Sequence, residues 1–79
     1  MKIYFGNRAG KHLVGSTDDL KECSKIMNKY IKEKNLPSAP YRRYFENEGL
    51  IQVDFGSYSE FFFIGDISIG EFLSSFEGE

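Results

Sequence analysis

The chain has 79 residues, of which 41% are hydrophobic and 16% aromatic, and its formal net charge at pH 7 is −2. Its length predicts one domain, residues 1–79, whose small core buries roughly 60% of the unfolded surface. One cysteine excludes an internal disulfide, and one Cys with one His excludes the usual zinc site. We expect no cofactor, and since no apolar run approaches the ~20 residues of a membrane span, we expect no membrane partner.

The charges are divided along the chain. All ten Lys and Arg residues lie within residues 1–45, together with four carboxylates, whereas residues 46–79 carry eight carboxylates and no basic residue. Such a division concerns surfaces and partners rather than fold. The sequence pI near 5.4 argues against direct nucleic-acid binding, because domains that grip phosphate backbones are usually basic.

Two segments at the start of the chain predict a β-hairpin. Residues 2–7 place Ile3 and Phe5 on one face and Tyr4 on the other. A turn at residues 7–10 leads to a returning strand at residues 11–15.

Apolar residues at helical spacing predict one long amphipathic helix after the hairpin. Ser16 or Thr17 is expected as its N-cap, with Asp18 and Asp19 in the first turn, where acids are favourable. Asn35 is expected to end it in a left-handed conformation. The apolar stripe consists of Leu20, Cys23, Ile26, Met27, Tyr30 and Ile31. The outer face, typical of a solvated surface, carries Lys21, Lys25, Lys29 and Lys32.

The second half of the chain predicts three strands and a short helix. The strands are expected at residues 41–45, 50–55 and 60–65, with a hairpin loop at 46–49 in which Gly49 takes positive φ. Ser68 and Glu71 have capping-box spacing, which predicts a helix at residues 72–76. The fold class is therefore α+β: an antiparallel sheet of four to five strands packed on one long helix, in the order β-β-α-β-β-β with a short C-terminal helix.

Residues 61–64 are apolar on both faces of their strand, whereas a single helix covers only one face of a sheet. The terminal helix and a second copy of the chain are the two candidate covers. We expect a homo-oligomer. The alternative is that all thirteen aromatic rings pack within one copy.

An aromatic and basic segment at residues 41–45 is the best candidate ligand site. Arginine pairs with phosphate and aromatic rings stack on bases, so the segment favours a nucleotide-like small molecule. The ligand-binding residues predicted are Tyr41, Arg42, Arg43, Tyr44, Arg8, Lys11 and His12. The alternative is that the arginines only pair with carboxylates across the hairpin.

The acidic final third predicts a protein-interaction surface. Carboxylates with Phe between them can imitate a phosphate backbone and occupy a basic groove on another protein. The residues concerned are Glu46, Glu48, Asp54, Glu60, Phe61 and Phe63. The alternative is that these acids neutralise the basic helix of the same chain.

Catalysis has little support in the sequence, and we expect a protein that is not an enzyme. His12 is the single imidazole, and no nucleophile can be assigned to it. Cys23 falls on the apolar stripe of the helix, which is typical of a packed small hydrophobe.

Four segments resemble a group of very short proteins encoded by phages and prophages of Gram-positive bacteria: residues 2–7 (KIYFGN), 14–16 (VGS), 41–45 (YRRYF) and 53–64 (VDFGSYSEFFFI). The resemblance covers about residues 2–65 and is most particular in the Gly-Ser-x-x-Glu-Phe-Phe segment at 56–62. It implies the cytoplasm of an infected or lysogenic bacterium and inhibition of a host defence system. We expect a binding protein that sequesters a nucleotide-like signal in an oligomer. The alternatives are an acidic inhibitor of anti-CRISPR type that acts on a host defence protein, and a structural or regulatory phage accessory protein.

Overall fold

The computed structural model describes residues 1–7, 9–37, 42–56 and 59–77, and the side chains of all of these except residues 75–77. Its elements are β1 (Lys2–Gly6), β2 (Lys11–Ser16), α1 (Leu20–Lys34), β3 (Arg43–Asn47), β4 (Leu50–Asp54), β5 (Phe61–Gly65) and α2 (Ile69–Glu77). The strands form one sheet in the order β2-β1-β5-β4-β3, and every neighbouring pair is antiparallel. The predicted α+β fold is confirmed.

The core lies between the sheet and the two helices. Alternation in β1 and β4 points Ile3, Phe5, Ile51 and Val53 to the same side, because successive side chains of a strand face opposite ways. These residues, all at most 5% exposed, join the helix residues Cys23, Met27 and Phe72 in one cluster. Both helices therefore cover the same face of the sheet.

The start of α1 corrects one prediction. Neither Ser16 nor Thr17 is the N-cap: Asp19 is, and its side chain accepts a hydrogen bond from the backbone N–H of Lys21 at 2.9 Å. The backbone of Thr17 instead exchanges two hydrogen bonds with Met1, of 2.8 and 3.0 Å, so the chain stays extended beside β1 and the helix begins later. Asn35 ends the helix at φ 53°, as predicted.

The β3–β4 hairpin corrects a second prediction. The strand expected at residues 41–45 runs instead from Arg43 to Asn47, and the turn has two residues rather than four. Glu48 and Gly49 both have positive φ, 53° and 79°, which is the pattern of a type I′ turn. This turn matches the twist of the strands and lets Asn47 pair with Leu50.

The C-terminal helix forms as predicted, with wider bounds. The Ser68 hydroxyl accepts a hydrogen bond from the Glu71 backbone N–H at 3.2 Å, which is half of the expected capping box. Phe72 enters the core and lies 5.2 Å from the Tyr44 ring, centroid to centroid. The helix thus packs on the face that α1 also covers, and it is not a cover for the second face. Neither α1 nor α2 is long and apolar enough to cross a membrane, within the ranges the structure describes.

Candidate functional site

The side of the sheet turned away from both helices is the candidate functional surface, called here the open face. Strand register aligns one residue from each of the five strands in a row across it. In the order of the sheet, the row consists of Leu13, Tyr4, Phe63, Gln52 and Phe45. Over the parts of the chain that the structure describes, no helix packs on this row.

The ends and the centre of the row differ in exposure. Leu13 and Phe45, on the two edge strands, are 54% and 46% exposed, which is high for side chains of this size. Phe63 at the centre is only 1% exposed, because its neighbours on the same face close around it. A second copy is therefore not needed to bury Phe63, contrary to our expectation, and the exposed ends are what remains uncovered.

A cation and a second ring lie beside the centre of the row. The ammonium of Lys11 lies 4.8 Å from the centroid of the Phe63 ring, within cation–π range. The half-buried Phe61 meets Phe63 edge to face, with centroids 6.4 Å apart and ring planes at 76°. The open face therefore combines apolar area with positive charge at this end of β5.

A hollow of about 410 Å³, called here the open-face hollow, lies next to these side chains. Its described lining consists of Asn7 and Ala9 from the β1–β2 turn, Gln52 from β4 and Phe61 from β5. Two other hollows, against α2 and between β2 and α1, measure about 220 and 260 Å³. Only the first falls within the roughly 300–1,000 Å³ typical of small-molecule sites.

Three of the predicted ligand residues lie on the helix side of the sheet. The Arg42 guanidinium donates to the side-chain oxygen of Asn28 on α1. His12 shares a hydrogen bond of 3.2 Å with the Tyr30 hydroxyl, and the Tyr44 ring packs on Phe72. Burial raises the pKa of the Tyr44 phenol, an effect that nearby Arg42 partly offsets.

The other described members of that set lie on the open face at opposite edges. Lys11 belongs to β2 and Arg43 to β3, so four strand spacings, roughly 19 Å, separate them. Tyr41 and Arg8 lie outside the described residues. One copy of the chain therefore does not bring the described part of the predicted cluster together, and its role in ligand binding stays a prediction.

The predicted protein-interaction residues are also divided. Glu46 points to the helix side, and Glu48 lies in the hairpin turn. Asp54 lies at the other end of β4, paired in register with Arg43, and its side chain accepts a hydrogen bond from Gly56 N–H at 3.0 Å. Asp54, Phe61 and Phe63 lie on the open face without the two hairpin acids, and Glu60, just before β5, is half-buried.

Two other sequence features have structural roles. Cys23 is fully buried in the core, as predicted, and burial raises the pKa of its thiol. On the outer face of α1, Lys25 pairs with Glu22 at 3.1 Å and Lys29 with Glu33 at 3.8 Å. The side chains of both pairs are exposed, so this face of α1 is a solvated surface. Ion pairs of this kind contribute little to stability.

Comparison of the chain with protein families, curated proteins and solved structures gave no match. No residue role is carried over from a relative, and each role rests on the side chain's own chemistry and position. The resemblance to small phage proteins stays a prediction.

Sequence reasoning missed three residues of the central row, Leu13, Tyr4 and Gln52, and it placed Phe45 in the ligand segment at residues 41–45 without giving it a role. The three missed residues seemed ordinary within their own strands, and Gln52 seemed to be the polar member of an alternating pattern. Their alignment depends on β1 pairing with β5, which lie more than fifty residues apart in the chain. The one available signal was the strand at residues 61–64, which is apolar on both faces. It indicated that the second face is apolar but not which residues of the adjacent strands lie on it.

Proposed function

We propose that this chain is a non-enzymatic, phage-encoded binding protein that inhibits a host defence system by sequestering a nucleotide-like ligand within a homo-oligomer. Its subunits meet through the open face of the sheet. The resemblance to small phage proteins supports the biological setting. The observation that carries the proposal is the row from Leu13 to Phe45, whose two ends remain exposed in one copy.

The arrangement of the row favours a second copy as its cover. Phe63 occupies the middle strand of five, so a two-fold axis that runs parallel to the strands, between the Phe63 rings of two stacked copies, places Leu13 of one copy over Phe45 of the other. Both exposed ends are then covered by the same contact, repeated twice. An apolar patch on an otherwise charged surface is a usual mark of an interaction site.

The size of the open face limits the strength of this contact. Five strands about 4.8 Å apart and five residues long at about 3.3 Å each give a flat footprint of roughly 24 by 17 Å, or ~400 Å² per copy. Stable interfaces bury about 800 Å² of accessible surface per partner. Since the side chains make the accessible area larger than the footprint, we expect a reversible association at the weak end of the range.

Sedimentation over a range of protein concentrations tests the association. We expect the wild type to pass from monomer to oligomer, and both Leu13→Lys and Phe45→Lys to remain monomeric. Leu73→Lys is the matched control, because Leu73 is a 38% exposed leucine on α2, on the helix side. A wild type that stays monomeric throughout, or a control that dissociates as readily as the two open-face variants, would refute the proposed contact.

The biological part of the proposal has its own test. The wild type, expressed in a host with a nucleotide-signalling defence system, should restore phage plating, and Phe45→Lys should fail to do so while Leu73→Lys succeeds. Equal protection by the wild type and Phe45→Lys would separate inhibition of defence from association through the open face.

A further inference from the structure

The open face carries charged side chains on both sides of its central row. Strand register places Lys11 and Asp54 level with Phe61 on one side of the row, and Lys2 level with Gly65 on the other side. Each of these charged residues lies two positions along its strand from a member of the row, so all three share its face. The apolar row is therefore flanked by charges that differ from one side to the other.

The Lys11 side chain extends across β1 instead of staying at the edge of the sheet. Its neighbour in register is Gly6, which has no side chain, and the ammonium reaches Phe63 on the middle strand, 4.8 Å from the ring centroid. Among the residues that the structure describes, no carboxylate lies within ion-pair distance of this ammonium. The positive charge is thus held near the middle of the open face, beside a ring and not beside an acid.

Asp54 places a negative charge at the equivalent position on the other side of the middle strand. It belongs to β4, which flanks β5 on one side as β1 does on the other, so each lies one strand spacing, about 4.8 Å, from the middle strand. One carboxylate oxygen of Asp54 accepts a hydrogen bond from Gly56 N–H at 3.0 Å. Since a carboxylate accepts several hydrogen bonds, the side chain is held in place and retains acceptor capacity.

The exposed apolar ends do not decide how two copies are oriented. A two-fold axis parallel to the strands stacks Leu13 of one copy on Phe45 of the other. A two-fold axis along the central row stacks Leu13 on Leu13 and Phe45 on Phe45. Both arrangements cover the exposed side chains, so the choice between them depends on the charges.

The two axes bring different charges together. The axis parallel to the strands exchanges β1 with β4 and keeps each residue at its level, so the Lys11 ammonium of one copy faces Asp54 of the other, twice. The axis along the row keeps each strand over its own copy and exchanges the two sides of the row, so Lys11 faces Lys2, twice. Like charges that face each other across an interface are unfavourable, whereas opposite charges fix its register.

We infer that the open face recognises a second copy of this chain in one orientation, with the two-fold axis parallel to the strands, and that two Lys11–Asp54 ion pairs between the copies select it. This inference rests on the proposed function, and it gives the proposed contact an orientation and its specificity-determining residues.

A mixture of two charge-reversed chains tests the pair. Lys11→Glu alone and Asp54→Lys alone would each bring like charges together twice in a homodimer, whereas the heterodimer joins opposite charges at both contacts. In sedimentation experiments with one chain carrying a fluorophore, each variant alone should associate at least about tenfold more weakly than the wild type, and the mixture should recover to within about threefold.

Matched variants control for net charge and for folding. Lys21→Glu and Glu33→Lys, the same reversals on α1, should associate like the wild type both alone and mixed. Asp54→Asn keeps an acceptor for Gly56 N–H and removes only the charge, and Lys11→Met keeps most of the stem. The double variant of these two should lose no more association free energy than either single variant, because both changes remove the same ion pair.

The outcomes separate this inference from the proposed function. No recovery in the mixture while the ¹⁵N spectra of both variants match the wild type, or additive losses in the double variant, would overturn the inference. Association that Leu13→Lys abolishes and Lys11→Glu leaves unchanged would also overturn it, and would leave the open-face contact standing. A wild type that is monomeric at every concentration would refute the contact and the inference together.

Discussion

The two faces of this sheet are built from the same five strands, but α1 and α2 cover only one of them. On the helix-covered face, side chains such as Ile3, Val53 and Phe62 are fully buried by α1 and α2. On the open face, Leu13 and Phe45 remain about half exposed at the two edges. The difference teaches that the helices bury the whole apolar width of one face, whereas the other face buries Phe63 at its centre and leaves apolar side chains exposed at its edges.

The largest expected effect comes from a comparison of two neighbouring phenylalanines of β5, one on each face of the sheet. Phe62 lies in the core, with its ring centroid 5.0 Å from Phe55 and 5.1 Å from Phe5, so Phe62→Ala should cost about 3–5 kcal/mol of unfolding free energy. Phe63→Ala should cost roughly 1–3 kcal/mol, because the side chains around it border solvent and can close the gap.

Chemical denaturation of the two variants at one low protein concentration measures both losses. Equal losses would mean that the open face contributes as much to the stability of a single copy as the core does, which would contradict the distinction between the faces.

A smaller effect is expected where α1 approaches β2. A Cβ built on Gly15 would lie 2.8 Å from Cγ2 of Ile26, so Gly15→Ala forces the Ile26 side chain, or the helix that carries it, to shift and should cost about 1–3 kcal/mol. Gly10→Ala, in the β1–β2 turn, is the control because a Cβ there meets nothing within 4 Å. Thermal unfolding of both variants tests this, and an unchanged melting temperature for Gly15→Ala would show that the helix packs more loosely than described.

A still smaller loss of stability is expected from a substitution at the start of α1. Asp19→Ala removes the cap of the helix that covers the core, and should cost about 1 kcal/mol. Asp18→Ala is the matched control, since Asp18 is fully exposed and its 3.9 Å contact with the N-terminus is weak. Urea denaturation measures the stability lost in each variant. A larger loss for Asp18→Ala than for Asp19→Ala would show that Asp19 is not the cap.

High pH should lower the free energy of unfolding through two groups on the helix-covered face, whereas these groups should have no such effect at neutral pH. Burial raises the pKa of the Cys23 thiol above its ordinary value of 9.0 and that of the Tyr44 phenol above 10.0. At a pH between the ordinary and the raised pKa, the unfolded chain has lost a proton that the folded chain retains, so stability present at lower pH is lost as the pH rises. Urea denaturation from pH 7.5 to 11 should show this decline, and it should be shallower in Tyr44→Phe.

The sequence predicted those parts of the fold that depend on local chemistry. Asn35 tolerates a left-handed conformation, and it ends α1 as expected. Thr17 seemed an equally good start for the helix by the same kind of argument. Its backbone pairs with Met1 at the edge of the sheet, however, and this contact between distant residues moved the cap to Asp19.

The candidate site was less predictable for the same physical reason. Gln52 is buried because Phe63 and Phe45 flank it from adjacent strands, and nothing in its own strand indicates that burial. Arg42 and Arg43 are adjacent in sequence, yet Arg42 reaches α1 whereas Arg43 lies on the open face. A sequence shows which residues suit a ligand, but which of them converge is fixed by strand order and register.

Contacts between copies across the open face can be observed directly in a mixture of ¹³C-labelled and unlabelled chains, using nuclear Overhauser effects filtered for pairs that belong to different molecules. The account predicts such effects between Leu13 of one copy and Phe45 of the other, and none from the outer face of α1. Intermolecular effects confined to α1 or α2, or none at concentrations where the protein is oligomeric, would contradict it.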